Sequence, residues 1–115
     1  MKQAYNPYLP LYEYVPDGEP HLFEGRVYIY GSHDRAGGVK YCEGDYVTWS
    51  APEDDLTDWR YEGVIYHRTD DPSNKEDRMQ LWAPDVTRGP DGRYYLYYCY
   101  SFYPEMGVAV SDSPA

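Results

Sequence analysis

The chain has 115 residues, with 20 Asp and Glu against 10 Lys and Arg and a formal net charge of -10. That length fits one small domain, and the acidic balance argues against nucleic acid, whose phosphates need clustered Lys and Arg. No apolar run approaches the roughly 18 residues of a membrane-spanning helix. The segment from Met1 to Pro7 carries no apolar leader. Cys42 and Cys99 are the only cysteines, too few for a disulfide framework or a zinc spacing. Both features read as a cytoplasmic chain with a reduced pair.

Strand-like runs follow one another at short intervals. Glu19 to Phe23 is the first, and Glu24-Gly25 is a turn signal. Arg26 to Tyr30 alternates β-branched and aromatic residues, as a half-buried strand does, and Gly31-Ser32-His33-Asp34 closes it. Tyr46 to Ser50 and Tyr61 to Tyr66 are the third and fourth runs. Between them, Pro52 to Trp59 reads as a loop with at most one helical turn. Arg68 to Arg78 is a polar loop insertion. Ala83 to Thr87, the turn Gly89-Pro90-Asp91-Gly92, and the run Arg93 to Tyr100 come next, followed by Val108 to Ser111. No segment sustains a 3.6-residue period, so the chain is all-β. Sixteen Tyr and three Trp against two Phe fit half-buried strands. The same amphipathic rings suit stacking on sugars.

The chain repeats itself. Gly25-Arg26-Val27-Tyr28-Ile29-Tyr30 recurs as Gly92-Arg93-Tyr94-Tyr95-Leu96-Tyr97, and Val47-Thr48-Trp49-Ser50 recurs as Val108-Ala109-Val110-Ser111. Each unit reads as strand, turn, strand, loop, strand and a fourth strand, the plan of a propeller blade; a tandem sandwich is the alternative. Residues 1–78 make the first blade with its loop insertion, and residues 79–115 an incomplete second blade. The counterpart of Tyr61 to Tyr66 is missing from the second unit. A ring needs about 4–8 blades, so the chain reads as the N-terminal fragment of a longer protein. Its open blade edges invite self-association.

Two aspartates stand apart from the solvated majority. Asp17 precedes Gly25-Arg26 and Asp85 precedes Gly92-Arg93, with spacings that differ by one residue. The first strands of propeller blades line the central channel, so these two carboxylates are expected at one mouth. The longer hairpin Gly89-Pro90-Asp91-Gly92 can absorb the offset. Two turn-initiating Asp residues are the structural alternative. Converging carboxylates are the hardware of glycoside hydrolysis, one as acid and one as base. Asp70, Asp71, Glu76 and Asp77 do not match the EF-hand spacing, and no metal site is expected from them.

Three segments carry a resemblance: Asn6-Pro7-Tyr8-Leu9-Pro10, then Asp17-Gly18-Glu19-Pro20-His21, then Val27-Tyr28-Ile29-Tyr30-Gly31-Ser32-His33-Asp34. Together they look like the opening of glycoside hydrolase family 43. Trp82-Ala83-Pro84-Asp85-Val86 and Gly92 to Tyr98 look like that family's second blade. The resemblance covers nearly the whole chain. It implies the first two blades of a five-bladed β-propeller and an inverting glycosidase for arabinofuranosyl or xylosyl linkages of plant polysaccharides. Asp17 falls on the general base, with Glu19 as the rival because it adjoins Pro20. Asp85 falls on the aspartate that tunes the pKa of the general acid. That acid, a Glu from the third blade, matches no residue here, so the fragment alone is expected to be inactive.

Trp82, His33 and Asp34 are candidate substrate contacts at the mouth, each with packing or a strand-end turn as its alternative. His21, Trp49 and Trp59 read as packing residues. No cofactor is implied. A carbohydrate is the expected partner; nucleic acid and membrane are not. A non-catalytic carbohydrate-binding β domain is the alternative function. A structural propeller piece that uses its edges for self-association is the third.

Overall fold

A computed structural model describes residues 3–115; Met1 and Lys2, the start of the segment read for a leader, lie outside the described residues. Seven strands form two antiparallel sheets. The first runs β1 (Glu19–Phe23), β2 (Arg26–Gly31), β3 (Tyr46–Pro52) and β4 (Arg60–Tyr66), in that spatial order. The second runs β5 (Leu81–Arg88), β6 (Tyr94–Tyr100) and β7 (Met106–Ser111). A short 3-10 turn, Pro72–Asn74, interrupts the connection between the sheets. Among the described residues no helix is long and apolar enough to cross a membrane. The strands expected from the sequence are all present, most of them a residue or two longer than their apolar patterns.

Local chemistry explains the hairpins. Phe23 pairs with Arg26, and both residues of the intervening loop have positive φ, 53° at Glu24 and 76° at Gly25. That is the two-residue turn whose twist matches the flanking strands. The second hairpin needs more chain. The Gly89 N–H donates to the Arg93 carbonyl at 2.8 Å, and Gly92 takes φ 80. The pairing of β5 with β6 also shifts register between Trp82 and Asp85. The two aspartates therefore do not occupy equivalent positions: Asp17 lies two residues ahead of β1, whereas Asp85 lies inside β5, just after the register shift.

The sheets pack face to face through phenol rings. Tyr28, Tyr30 and Tyr46 of the first sheet meet Leu81, Val86, Tyr94, Leu96, Tyr98 and Tyr100 of the second, all buried. Buried hydroxyls need partners, and five of these six phenols donate to a defined oxygen. Tyr30 Oη donates to the Pro114 carbonyl at 2.5 Å, Tyr94 to Glu24 Oε1 at 2.9 Å and Tyr100 to the Arg68 carbonyl at 2.7 Å. Tyr46 donates to the Trp82 carbonyl and Tyr98 to the Asp71 carboxylate. Burial pushes all of these phenols up from their ordinary value, so they stay protonated donors.

The connection from residue 67 to 78 is tied down at two points. Asn74 is buried and uses its whole amide: Nδ2 donates to the Arg68 and Met79 carbonyls, and Oδ1 accepts from Arg78 N and Met79 N. Asp45, just ahead of β3, accepts from Arg68 N at 2.8 Å and meets His67 Nδ1 at 3.0 Å. The acidic residues of this stretch are similarly engaged. Asp71 caps the 3-10 turn by accepting from Ser73 N, Asp70 accepts from His67 N, Asp77 pairs with Arg68, and Glu76 pairs with Arg78.

β7 is an edge strand, and Val108 and Val110 project from it into solvent beside the exposed Tyr97 of β6. Just ahead of them Gly107 lies opposite Tyr98, whose ring covers it; a Cβ there would sit 2.0 Å from Tyr98 Cζ.

Two outcomes are expected. Gly107→Ala forces the Tyr98 ring out of place and costs about 1–3 kcal/mol, read as a lowered urea midpoint. The Asp45–His67 contact gives a pH signature. Burial works to raise the Asp45 carboxyl, but bonds from Arg68 N and His67 outweigh it and hold the carboxyl below its ordinary range. The Asp45 hydrogen bond raises His67 above its ordinary 6.5. Asp45 thus contributes above its unfolded pKa and is lost as pH falls through the lower folded value. His67 contributes fully below its unfolded pKa and is lost as pH rises through the higher folded value. The stability difference between the parent chain and Asp45→Asn should peak between about pH 4 and 6.5 and shrink on either side.

Candidate active site

The N-terminal segment reaches the first sheet by crossing the end of β2. Gly31 permits the crossing: a Cβ there would stand 2.3 Å from Val15 Cγ1 and 3.0 Å from the Pro16 carbonyl. Asp17 follows with φ 54, a conformation that costs an ordinary residue strain. Its carboxylate is exposed, and Oδ2 accepts from the buried Ser32 hydroxyl at 3.3 Å; the same hydroxyl is 3.1 Å from the Pro16 carbonyl. Asp17 is thus held at the outer end of β1 with its carboxylate open to solvent.

Asp85 projects from β5, opposite Tyr97, and its side chain is 59% exposed. His21 of β1 reaches across to it, with Nε2 and Oδ1 2.6 Å apart. The His21 ring lies parallel to Phe23 at 5.6 Å and beside Tyr30 at 6.2 Å, which fixes its direction. Glu19 completes the group: ligand-type atoms of Glu19, His21 and Asp85 all lie within 4.8 Å of one another. His21 therefore packs as expected and also spans the two sheets. The sequence pairs Asp17 with Asp85. The structure gathers Glu19 and His21 around Asp85, and Asp17 stands just upstream of them on the chain, bonded to Ser32.

The other expected contacts have structural partners. His33 Nε2 meets Glu13 Oε1 at 2.5 Å, and Trp49 Nε1 donates to Glu13 Oε2 at 2.8 Å. The Glu13 side chain is only 7% exposed, so one buried carboxylate staples the N-terminal segment to β3 and to the chain after β2. Asp34 Oδ1 accepts from Cys42 N at 2.7 Å and closes the β2–β3 loop. Trp82 stands at the start of β5, half-buried, with its ring edge-on to Phe102 at 5.3 Å. Trp49 is buried against Tyr61, and Trp59 is half-buried against Tyr8, both packing as expected. Cys42 and Cys99 are free thiols. Glu13 carries no sequence signal: one more Glu in an acidic chain cannot be told from a solvated one.

Known proteins supply the context. The xylosidase/arabinosidase of Thermoclostridium stercorarium is 66% identical over 114 residues, covering 99% of this chain and 24% of that protein. This chain is similar to xylosidase/arabinosidases and to glycoside hydrolase family 43 structures over part of their length. Xylosidase/arabinosidase 43A of Humicola insolens is 37% identical over 115 residues, covering 88% of this chain and 33% of that protein. A GH43_1 enzyme from Xanthomonas citri, crystallised with xylose, superposes with a TM-score of 0.72 at 30% identity over 89% of this chain and 30% of that one. No family profile matches the chain. The chain thus spans only about a quarter to a third of these relatives. The all-β architecture of two antiparallel sheets agrees with these family 43 neighbours.

The Glu13 staple is directly testable. Glu13→Ala strands the Trp49 indole N–H in a buried site and releases His33, which should cost about 1–3 kcal/mol in urea denaturation. Glu13→Gln keeps an acceptor and should lose less.

Proposed function

We propose that this chain forms the first two blades of a five-bladed propeller in an inverting glycosidase that cleaves arabinofuranosyl or xylosyl linkages. The observation that carries the reading is the 66% identity to a xylosidase/arabinosidase over nearly the whole chain. Supporting it are a four-stranded sheet followed by a three-stranded one, and exposed carboxylates at the start of β1 and on β5.

In this reading Asp17 is the general base. Its exposed carboxylate, aimed by Ser32, takes a proton from the water that attacks the anomeric carbon. A carboxylic acid on the far side of the sugar protonates the leaving oxygen, about 6.5–9.5 Å away so that water fits between them. That acid comes from outside this chain. Asp85 stands near it and raises its pKa by like-charge repulsion, which keeps it protonated at working pH. Trp82 offers a ring for sugar stacking. The fragment by itself then turns over no glycoside. Its open sheet edges, β4 and β7 among them, are covered in the whole protein or, without the remaining blades, associate with another copy.

The test uses a full-length enzyme carrying this segment. Asp17→Asn should cut kcat by about 10²-fold or more with folding intact, whereas Glu19→Gln should retain most activity; the reverse result would move the base to Glu19. Asp85→Asn should lower the pKa of the acid, so the alkaline limb of the kcat/KM profile shifts to lower pH. Full activity in Asp17→Asn and Glu19→Gln alike would remove the hydrolase assignment from this end of the chain.

A further inference from the structure

We propose that His21 is a positioning residue for Asp85: its Nε2–H holds one oxygen of the carboxylate still, so that the other oxygen is the one presented to the general acid. The inference rests on the glycosidase reading above, which gives Asp85 its part in the reaction, and adds the group that aims it.

The last torsion of an aspartate is broad, so its own covalent geometry does not fix which oxygen points where. Asp85 has a second source of freedom. It follows the register shift of the β5–β6 pairing, and such an irregularity re-aims the side chain beside it. Donors must therefore set the carboxylate, and two of them do. Val86 N donates to Oδ1 at 2.8 Å, and His21 Nε2 lies 2.6 Å from the same oxygen. Among the described residues no donor bonds Oδ2. A carboxylate only accepts, so Nε2 carries the proton of this bond. The Val86 donor is the next residue in the chain and moves with Asp85. His21 is the donor that ties the carboxylate to another element, because β1 and β5 lie in different sheets.

His21 is itself held. Its ring lies within 11° of parallel to Phe23 at 5.6 Å and at 49° to Tyr30 at 6.2 Å. Phe23 is two residues further along β1 and so on the same face of the strand. It stands edge-on to Tyr94 of β6 at 5.1 Å. Contacts from Tyr94 through Phe23 to His21 thus carry the geometry of the core out to the Asp85 carboxylate. Imidazole also suits the task chemically. It can donate one bond without bringing a charge, whereas Lys or Arg would cancel the negative charge by which Asp85 acts on the acid. That repulsion falls off with distance, so an oxygen that swings away from the acid acts on it less. The other titratable groups facing the pair are Glu19 of β1, Tyr30 of β2 and Tyr97 of β6.

The experiment compares two variants of a full-length enzyme carrying this segment. His21→Phe keeps a ring on Phe23 and removes the donor. His21→Gln removes the ring and keeps an N–H donor of similar reach. His21→Phe should lower kcat about 10-fold with KM within about 2-fold, and should move the alkaline limb of the kcat/KM profile to lower pH. His21→Gln should recover most of kcat and bring the limb back. In an Asp85→Asn background, His21→Phe should change neither any further. A packing role alone gives the opposite order, with His21→Phe near normal and His21→Gln impaired, and overturns the proposal. An unmoved alkaline limb in His21→Phe does the same. NMR of the parent enzyme labelled with 15N-histidine needs no variant to fold: it should find a proton on His21 Nε2, and a bare Nε2 overturns the proposal. If Asp85→Asn leaves the limb unmoved, the assignment of Asp85 fails and this inference with it. If Asp85→Asn moves the limb and His21→Phe does not, this inference fails alone.

Discussion

The contact on which the rest depends is the face-to-face packing of Tyr28 and Tyr30 against Tyr94, Leu96 and Tyr98. It brings β1 alongside β5, two strands that are not paired and belong to different sheets. Without it, His21 and Asp85 would be strangers. Their 2.6 Å contact is a consequence of how aromatic rings fill the space between sheets. The candidate site is therefore built by the core and carried on its outer rim. That division suits an acid–base site, which needs rigid geometry behind groups that stay open to solvent.

The three groups around Asp85 differ in what holds them. His21 is fixed by stacking on Phe23, Asp85 by its place opposite Tyr97, and Glu19 by pairing opposite Tyr30. Asp17 belongs to no strand. It is placed by a close crossing over Gly31, by the Ser32 hydroxyl and by a backbone angle few residues adopt. A carboxylate in such a spot is held by its neighbours instead of by a ladder of backbone bonds, and any change that loosens the 15–17 crossing reaches it directly.

Much of this was legible in the residues. Alternation of β-branched and aromatic side chains located the strands, and Glu24-Gly25 and Gly89 to Gly92 located the hairpins, because turn chemistry is local. The repeated Gly-Arg-aromatic pattern made the two sheets equivalent before any contact was known. What the sequence hid is what depends on distant partners. His21 looked like one more packed ring, since its link to Asp85 spans 64 residues. Glu13 and Asn74 looked like solvated loop residues, since only the fold shows that one bridges His33 and Trp49 and the other closes four backbone bonds.

The phenol hydroxyls carry a consequence beyond their individual bonds. Oily surfaces slide over one another at little cost, but these two sheets meet through rings of which five carry tips that reach a defined oxygen: Pro114, Trp82, Glu24, Asp71 and Arg68. Displacing one sheet by a single residue would orphan several tips at once. The two halves are thus keyed like the wards of a lock, which lets a pair of sheets with no shared strand settle into one alignment instead of a family of near-equivalents.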